Sequence, residues 1–225
     1  MEEIRVKLIE KIKRADAVES FRFSPPKKIN FLPGQFLQIM NKYLSMSSSP
    51  TKDYIEVTKK LSDSEFSNRL RNLKIDDEAL VKIPMGDCVF KDEYKNIGFL
   101  TGGIGITPVI SIIEYIIDKK LDTDVYLFYS NRTDTDIAFK KELDYWASVN
   151  KNIKIHYVVT GCQPKDKTCF FGIIDKGLLM KKVCDIKART WFIYGPPAMV
   201  ETMCNMSLEL ECRKENIKTE RFIGY

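Results

Sequence analysis

The sequence holds one histidine, His156, and none of its six cysteines stands in a C-x-x-C pair or an iron–sulfur spacing. A Cys/His zinc site is therefore not expected, nor is a cluster held by this chain, so a cluster-bearing electron partner would be a separate protein. Cys88, Cys162, Cys169, Cys184, Cys204 and Cys212 read as buried or incidental thiols of a reducing cytoplasm. The N-terminus, MEEIRVKL, mixes charges and lacks an apolar signal region, so no secretion signal is expected. Repeats, low-complexity segments and an obvious flexible linker are missing too. The net charge of +5 lies on scattered pairs such as Lys27–Lys28, Lys59–Lys60, Lys140–Lys141 and Lys181–Lys182. Scattered pairs support nucleic-acid binding poorly and favour an acidic partner only mildly. His156, in the alternating strand NIKIHYVV, reads as structural.

What is present is an ordinary core-forming balance, 44% hydrophobic against 30% charged, in a chain long enough for one large domain or two small ones. The first half reads as short strands: IRVKLIEKIKR, ESFRFSP, Gln35–Met40, KYLSMSSSP, DYIEVTKKL and DDEALVKIP, with one amphipathic helix, SEFSNRLRNL. Six strands and one helix predict a small closed antiparallel β-barrel. The serine run Ser45–Ser49, interrupted by Met46, is read first as a polar turn and second as a lining for a polar ligand. After FKDEYKN, Phe90–Asn96, the pattern changes to strands alternating with helices, the helices read as DIAFKKELDYWASV, IDKGLLMKKV and PAMVETMCNMSLELECRKE, with a last strand in NIKTERFIGY. This predicts an α/β domain with a parallel sheet that binds ligands at its carboxyl edge. The chemically distinctive strand ends are Gly102–Thr107, Ser130-Asn131-Arg132 and Gly195-Pro196-Pro197.

The organising stretch is Gly98–Ile117: an apolar strand, a turn through Gly102, Gly103 and Gly105, then a helix with Thr107 as expected N-cap and Pro108 in its first position. The glycines, the Thr-Pro pair and Glu114 interrupt it as a membrane span. It is no P-loop, because Gly-Lys-Ser/Thr is missing, and Pro108 stands where the third glycine of the dinucleotide fingerprint would be. Glycine backbone and a helix N-terminus suit a diphosphate, although G-x-G alone fits an ordinary tight turn equally well.

The ordered set KYLSMSSSP, SEFS, GGIGITP, SNRTDTDIAF, YGPPAMV and terminal FIGY resembles the ferredoxin–NADP⁺ reductase superfamily, over nearly the whole chain from FLPGQF to Tyr225. The resemblance implies a flavin-binding barrel, residues 1–93, and an NAD(P)-binding α/β domain, residues 94–225. The family's Arg-x-Tyr-Ser/Thr motif falls on Lys42, Tyr43, Leu44 and Ser45. Lys42 keeps the charge without the guanidinium fork, Leu44 replaces the aromatic that packs on the isoalloxazine, and Tyr43 substitutes only if the register slips. The family's Gly-x-x-Ser/Thr falls on Ser64–Ser67, with Phe66 inside it and Ser67 retained. Gly102, Gly103, Gly105, Thr107 and Pro108 match the pyrophosphate loop; Gly195, Pro196, Pro197 and Met199 match the turn that faces the nicotinamide. Tyr194 holds a position where cysteine is common, so no catalytic thiol is assumed.

The implied catalytic set is Ser45 and Thr107 as donors to the flavin and Tyr225 as a stacking residue. Phe222 and Tyr225 read equally well as the packed end of an edge strand, and Glu220 lies near that end. Arg132 reads as a partner for a 2′-phosphate or as a solvated loop residue; Lys165 and Lys167 are further candidates, and the balance leans to NADH. The implied function is a flavin-dependent NAD(P)H oxidoreductase, with FAD expected before FMN. The nicotinamide gives a hydride to flavin N5, and electrons pass to a separate acceptor, an acidic iron–sulfur protein or a flavodoxin being the partners considered. Free flavin, a quinone or a ferric complex would be other acceptors. The alternative is an electron-transfer or nucleotide-binding subunit of a larger redox complex with little independent turnover. A cytoplasmic location, no metal, no nucleic acid and no membrane span complete the expectations.

Overall fold

Strict alternation in β1 (Glu2–Ala15) places Ile4, Val6 and Leu8 on one buried face and leaves Glu3, Arg5 and Lys7 outside. The same two-residue period builds β2 (Val18–Ser24), β3 (Phe36–Ile39), β4 (Lys42–Ser45), β5 (Ile55–Lys60) and β6 (Glu78–Met85). The computed structural model describes residues 1–222. The described residues fall into two compact units, and the first comprises Met1–Lys91 together with Thr107–Lys120. Its strands form one antiparallel sheet in the order β4-β3-β6-β1-β2-β5. The sheet curls until its edges meet at an isolated bridge, Met46 to Val57, beside which Ser47 N donates to Glu56 O at 2.8 Å. The expected closed barrel is thus a half-barrel with a narrow seam, because β4 ends at Ser45 before it can pair along β5.

Helix α1 (Glu65–Asn72) lies where the Phe66, Leu70 and Leu73 spacing puts it; Phe66 and Leu70 are buried and Leu73 packs against the same core. Helix α2 (Ile106–Asp118) starts earlier than the sequence suggests. The turn Gly103–Gly105 is itself 3₁₀-helical and runs directly into α2, so Thr107 sits inside the first turn rather than at the N-cap, and Pro108 follows it. Proline is still tolerated there, since first-turn N–H groups have no partner within the helix.

The serine run is not a solvated turn. Ser45, Ser47, Ser48 and Ser49 are all buried. Ser48 Oγ accepts from Glu56 N (2.9 Å), Ser48 O accepts from Ser111 Oγ of α2 (2.7 Å), and Ser49 N donates to Glu114 Oε2 (2.7 Å). Lys52 reaches Asp118 at 2.9 Å and Glu114 at 3.4 Å. Burial pushes the Glu114 carboxyl above its ordinary range despite the Ser49 N–H and Lys52. Next to this seam Glu56, 2% exposed, is held by Arg14 (2.8 Å) and Arg22 (2.7 Å), while Ser47 Oγ bonds Thr58 Oγ1 at 2.7 Å.

The second unit comprises Asp92–Ile106 and the described residues from Leu121 onward. Its strands are β7 (Asn96–Gly102), β8 (Asp124–Asn131), β9 (Ile153–Val159), β10 (Cys169–Phe171), β11 (Thr190–Gly195) and β12 (Ile217–Arg221). All pair in parallel, in the order β10-β9-β8-β7-β11-β12. The sequence reading had no β10, a three-residue edge strand too short to carry a periodic signal. Helices α3 (Lys140–Val149), α4 (Lys176–Lys182) and α5 (Pro197–Glu209) are all shorter than their sequence patterns. α3 starts late because Thr133 and Asp136 close a capping box around a separate 3₁₀ turn and Phe139 takes φ +59°. α5 stops before Glu211, which takes φ +61°. No helix among the described residues is long and apolar enough to cross a membrane, and no group of three metal-ligating side chains occurs among them.

Glu56→Ala would remove the buried carboxylate that Arg14 and Arg22 share in the first unit. The expected cost is about 3–5 kcal/mol in urea unfolding, the range for breaking a buried ion pair from one side. A loss below about 1 kcal/mol would mean that the Arg14–Glu56–Arg22 group is no keystone.

Candidate functional site

In the second unit the chain leaves β7 toward β8 and leaves β11, on its other side, toward β12. The connections diverge at the β7/β11 boundary, and such a switch point opens a crevice at the carboxyl edge of a parallel sheet. The glycine turn ends β7 there and Gly195-Pro196-Pro197 ends β11. Registers bring the expected residues to one edge: Gly102 opposite Ser130, Asn131 opposite Val159, and Gly195 opposite Arg221.

Bare backbone is required at Gly105, and a Cβ at Gly102 would displace the Met199 side chain. A Cβ on Gly105 would lie 2.6 Å from Tyr194 O and 2.8 Å from Thr101 Oγ1, which itself donates to Tyr194 O at 3.0 Å. A Cβ on Gly102 would lie 2.6 Å from Met199 Sδ. Tyr129 OH fixes the turn from a third strand by donating to Gly103 O at 3.0 Å. The edge so built presents a glycine turn and the proline-led N-terminus of α5, whose first-turn N–H groups lack helical acceptors. That combination suits a diphosphate. Tyr194, at the position where a thiol was considered, is fully buried.

Further along the edge, Asn131 is buried with its Nδ2 unpartnered among the described residues, whereas Arg132 is exposed. Glu220 of β12 stands opposite Tyr194, and burial pushes its carboxyl up to about 7. His156 is packed among Tyr126, Phe128 and Phe170; burial, with Lys182, lowers it to about 4. It is neutral near pH 7 and contributes packing, as its strand position suggested.

In the first unit β4 pairs with β3 without a slip: Leu37 opposite Leu44, Gln38 opposite Tyr43, Ile39 opposite Lys42. Cross-strand partners share a face. Leu44 and Lys42 therefore lie on the side of the buried Leu37 and Ile39, and Tyr43 lies on the other, 63% exposed and edge-on to Phe36. The charge of Lys59 of β5 is disfavoured first by burial and then by Lys42. At the start of α1, Ser64 caps the helix through Ser67 N (3.3 Å), and the hydroxyls of Ser62, Ser64 and Ser67 bond one another at 3.1–3.3 Å. Ser67 is fully buried and accepts from Ser62 N, so the exposed members of this crown are Ser62 and Ser64. Ser45 and Thr107 are both buried. Tyr225 lies outside the described residues.

Lys59 and Ser62 were not singled out from the sequence. Lys42 acts on Lys59 across strands far apart in the sequence, a pairing no local pattern announces. Ser62 follows from the serine spacing around the α1 cap, a signal that was readable.

Residues 99–205 match the oxidoreductase NAD-binding domain family. The chain is 29% identical over 215 residues to NADH-cytochrome b5 reductase 1 of Dictyostelium discoideum, covering 88% of this chain and 75% of that one. It is 30% identical over 211 residues to the glycine betaine monooxygenase reductase subunit of Chromohalobacter salexigens, covering 85% of this chain and 56% of the other. The flavohem-like FAD/NAD-binding domain of nitric oxide dioxygenase from Vibrio cholerae superposes with a TM-score of 0.86 at 18% identity, covering 97% of this chain and 98% of that one; this likeness is one of fold.

Two outcomes follow for stability. Gly105→Ala should destabilise the protein by about 1–3 kcal/mol, as overpacking does. Gly103→Ala meets no atom within 4 Å and should cost only about 1 kcal/mol, from its left-handed φ. Urea melts that reversed this order would refute the close-approach argument. Glu220 holds its proton more tightly folded than unfolded, so its contribution is fully present below the unfolded value of 4.5 and is lost as pH rises through about 7. The melting temperature of wild type relative to Glu220→Gln should therefore fall between these limits as pH rises; a flat difference would show an ordinary carboxylate.

Proposed function

Because the chain belongs to the ferredoxin–NADP⁺ reductase superfamily, we propose that it is a flavin-dependent NAD(P)H oxidoreductase that passes electrons to a separate acceptor. The observation that carries this reading is the glycine turn at the β7/β11 switch point, where Gly105 lies against the Tyr194 backbone with no room for a Cβ. On this reading the second unit binds the dinucleotide. Gly102, Gly103 and Gly105 cradle its diphosphate with the α5 N-terminus, and the Gly195–Met199 turn borders the nicotinamide.

The first unit fits a flavin nucleotide. Lys42 disfavours the charge of Lys59, and the serine crown of α1 offers hydroxyls and first-turn N–H groups to phosphate. Ser62 and Ser64 are the exposed phosphate donors, Ser67 sets their positions, and Tyr43 supplies the exposed aromatic ring near Ser45. FAD is favoured over FMN because the cations and the crown together offer more than one phosphate can use. When bound, the flavin takes a hydride from nicotinamide and releases the electrons to an acceptor. The chain's own residues need only bind, orient and exclude water, consistent with an edge that carries no nucleophile–base pair. Thr107 supplies a hydroxyl from the first turn of α2.

The relatives are named for cytochrome b5 and for a monooxygenase, so the acceptor here is a separate protein; the net charge of +5 suits an acidic one. An iron–sulfur protein or a flavodoxin has that character. The free cysteines suit a reducing cytoplasm. One observation favours a second reading. Lys42 and Leu44 share the core-side face, so the barrel motif lacks both its usual guanidinium and its usual ring. That would suit a nucleotide-binding subunit of a larger redox complex.

The visible spectrum separates the two. Purified protein should be yellow, release FAD on heating, and bleach anaerobically with NADPH or NADH. Protein that takes up no flavin from excess FAD would sink the oxidoreductase reading and leave the subunit.

A further inference from the structure

The parallel sheet of the second unit ends at β10, and no strand covers the other side of β10 among the described residues. Gly172 N donates to Val159 O at 2.9 Å. Backbone groups of successive strand residues point to opposite edges, so the N–H and C=O of Phe171 point away from β9. Register sets the side chains: Phe170 lies opposite Val158 and Phe171 opposite Val159. Phe170 therefore shares a face with His156, whose ring it meets edge-on at 6.3 Å, and Phe171 takes the opposite face. Of the run from Phe170 to Ile174 only Ile174 enters the core.

Large apolar side chains are left outside at this edge. Phe171 is 52% exposed, Ile173 68% and Met180 of α4 64%. Phe170 is still 38% exposed although Lys182 Nζ stands 4.9 Å from its ring centroid. Soluble proteins blunt an open edge by keeping it short and placing lysines on it. β10 is short, Lys167 precedes it, and Lys181 and Lys182 end the helix that follows. None of these three lysines has a carboxylate partner among the described residues, whereas Lys176 of the same helix is paired with Glu209. The neighbouring carboxylates are engaged elsewhere: Asp175 Oδ1 accepts from Leu178 N at 2.7 Å, and Asp166 meets Lys140 Nζ at 3.0 Å. The edge thus joins two adjacent phenylalanines, which blunting does not call for, to positive charge that nothing on this unit balances.

We propose that the free edge of β10 docks an extended acidic segment of a partner protein, which adds a strand to the sheet alongside Phe171. Backbone hydrogen bonds to Phe171 set the pairing. Apolar side chains of the segment pack on Phe171 on one face and on Phe170, Ile173 and Met180 on the other, and its carboxylates meet Lys167, Lys181 and Lys182. A second copy of this chain is the poorer occupant, because pairing β10 with itself would set the same lysines against one another. β9 and β8 separate this edge from the glycine turn of β7, so the docking does not depend on the dinucleotide reading.

The test is proton–nitrogen correlation NMR of the full chain, titrated with a short peptide alternating glutamate and valine and with the same peptide carrying lysine for glutamate. The amides of Phe170, Phe171, Gly172 and Ile173 should shift with the acidic peptide, at an affinity about tenfold or more above that of the lysine peptide. Added salt should narrow the difference. Phe171→Glu should weaken the acidic peptide about tenfold, and Lys181→Gln combined with Lys182→Gln about threefold. Phe171 and Lys181 are exposed and Lys182 is half-buried, so none of these changes opens a core cavity, and the rest of the amide spectrum checks that each variant is folded. No shift at these amides by about 1 mM peptide, shifts centred elsewhere, or equal affinity for the two peptides would overturn the proposal. A dimer in sedimentation that Phe171→Glu dissolves would give the edge to a second copy and overturn it as well.

Discussion

The second unit is organised by close approaches to glycines in β7 and in the turn after it. Gly98 lies under the Trp191 ring of β11, Gly102 against Met199 of α5, and Gly105 against Tyr194 O of β11, each closer than a Cβ would allow. Atoms cannot interpenetrate, so a methyl group on Gly98 or Gly105 would press against β11. The switch point of the sheet falls between those same strands. One steric condition thus fixes both the packing of the sheet centre and the shape of its carboxyl edge.

The first unit depends on a different interaction. Its sheet curls, and its edges come together at the Met46–Val57 bridge beside a buried charged group. Glu56 is buried between Arg14 and Arg22, and the serine run folds over it with Thr58 and Ser20 in the same hydrogen-bonded group. Each member is satisfied by another, which is the condition under which a buried polar network is tolerated. From this seam the serine backbone continues to Ser111 and Glu114, and so anchors α2.

Neither unit contains the acid–base pairs or activated nucleophiles of hydrolytic or transfer enzymes among its described residues. That suits chemistry in which bound cofactors do the bond-making and the polypeptide supplies placement and electrostatics. At the ends of β8 and β9 the carboxylates are engaged by the loops' own donors and the cations face outward, a distribution that follows from Asp134 acting as a loop staple.

The sequence by itself determined the strand alternation of the first half, the strand–helix alternation of the second, and the glycine turn, because periods of two and 3.6 residues and the demands of tight turns are local properties. It also placed α1, whose Ser64 cap and Phe66–Leu70 spacing lie within one short segment. Only the tertiary structure decided that the Ser45–Ser49 run is interior, since burial of a hydroxyl depends on partners as distant as Ser111 and Glu114. It decided that Leu44 and not Tyr43 takes the core-side face, because which face of a strand is buried depends on the register with its neighbour. It decided too that Asp134 is held by Lys165 and Asp166 while Arg132 is left exposed, because electrostatic compensation is a matter of distances between loops, and composition along the chain does not contain them.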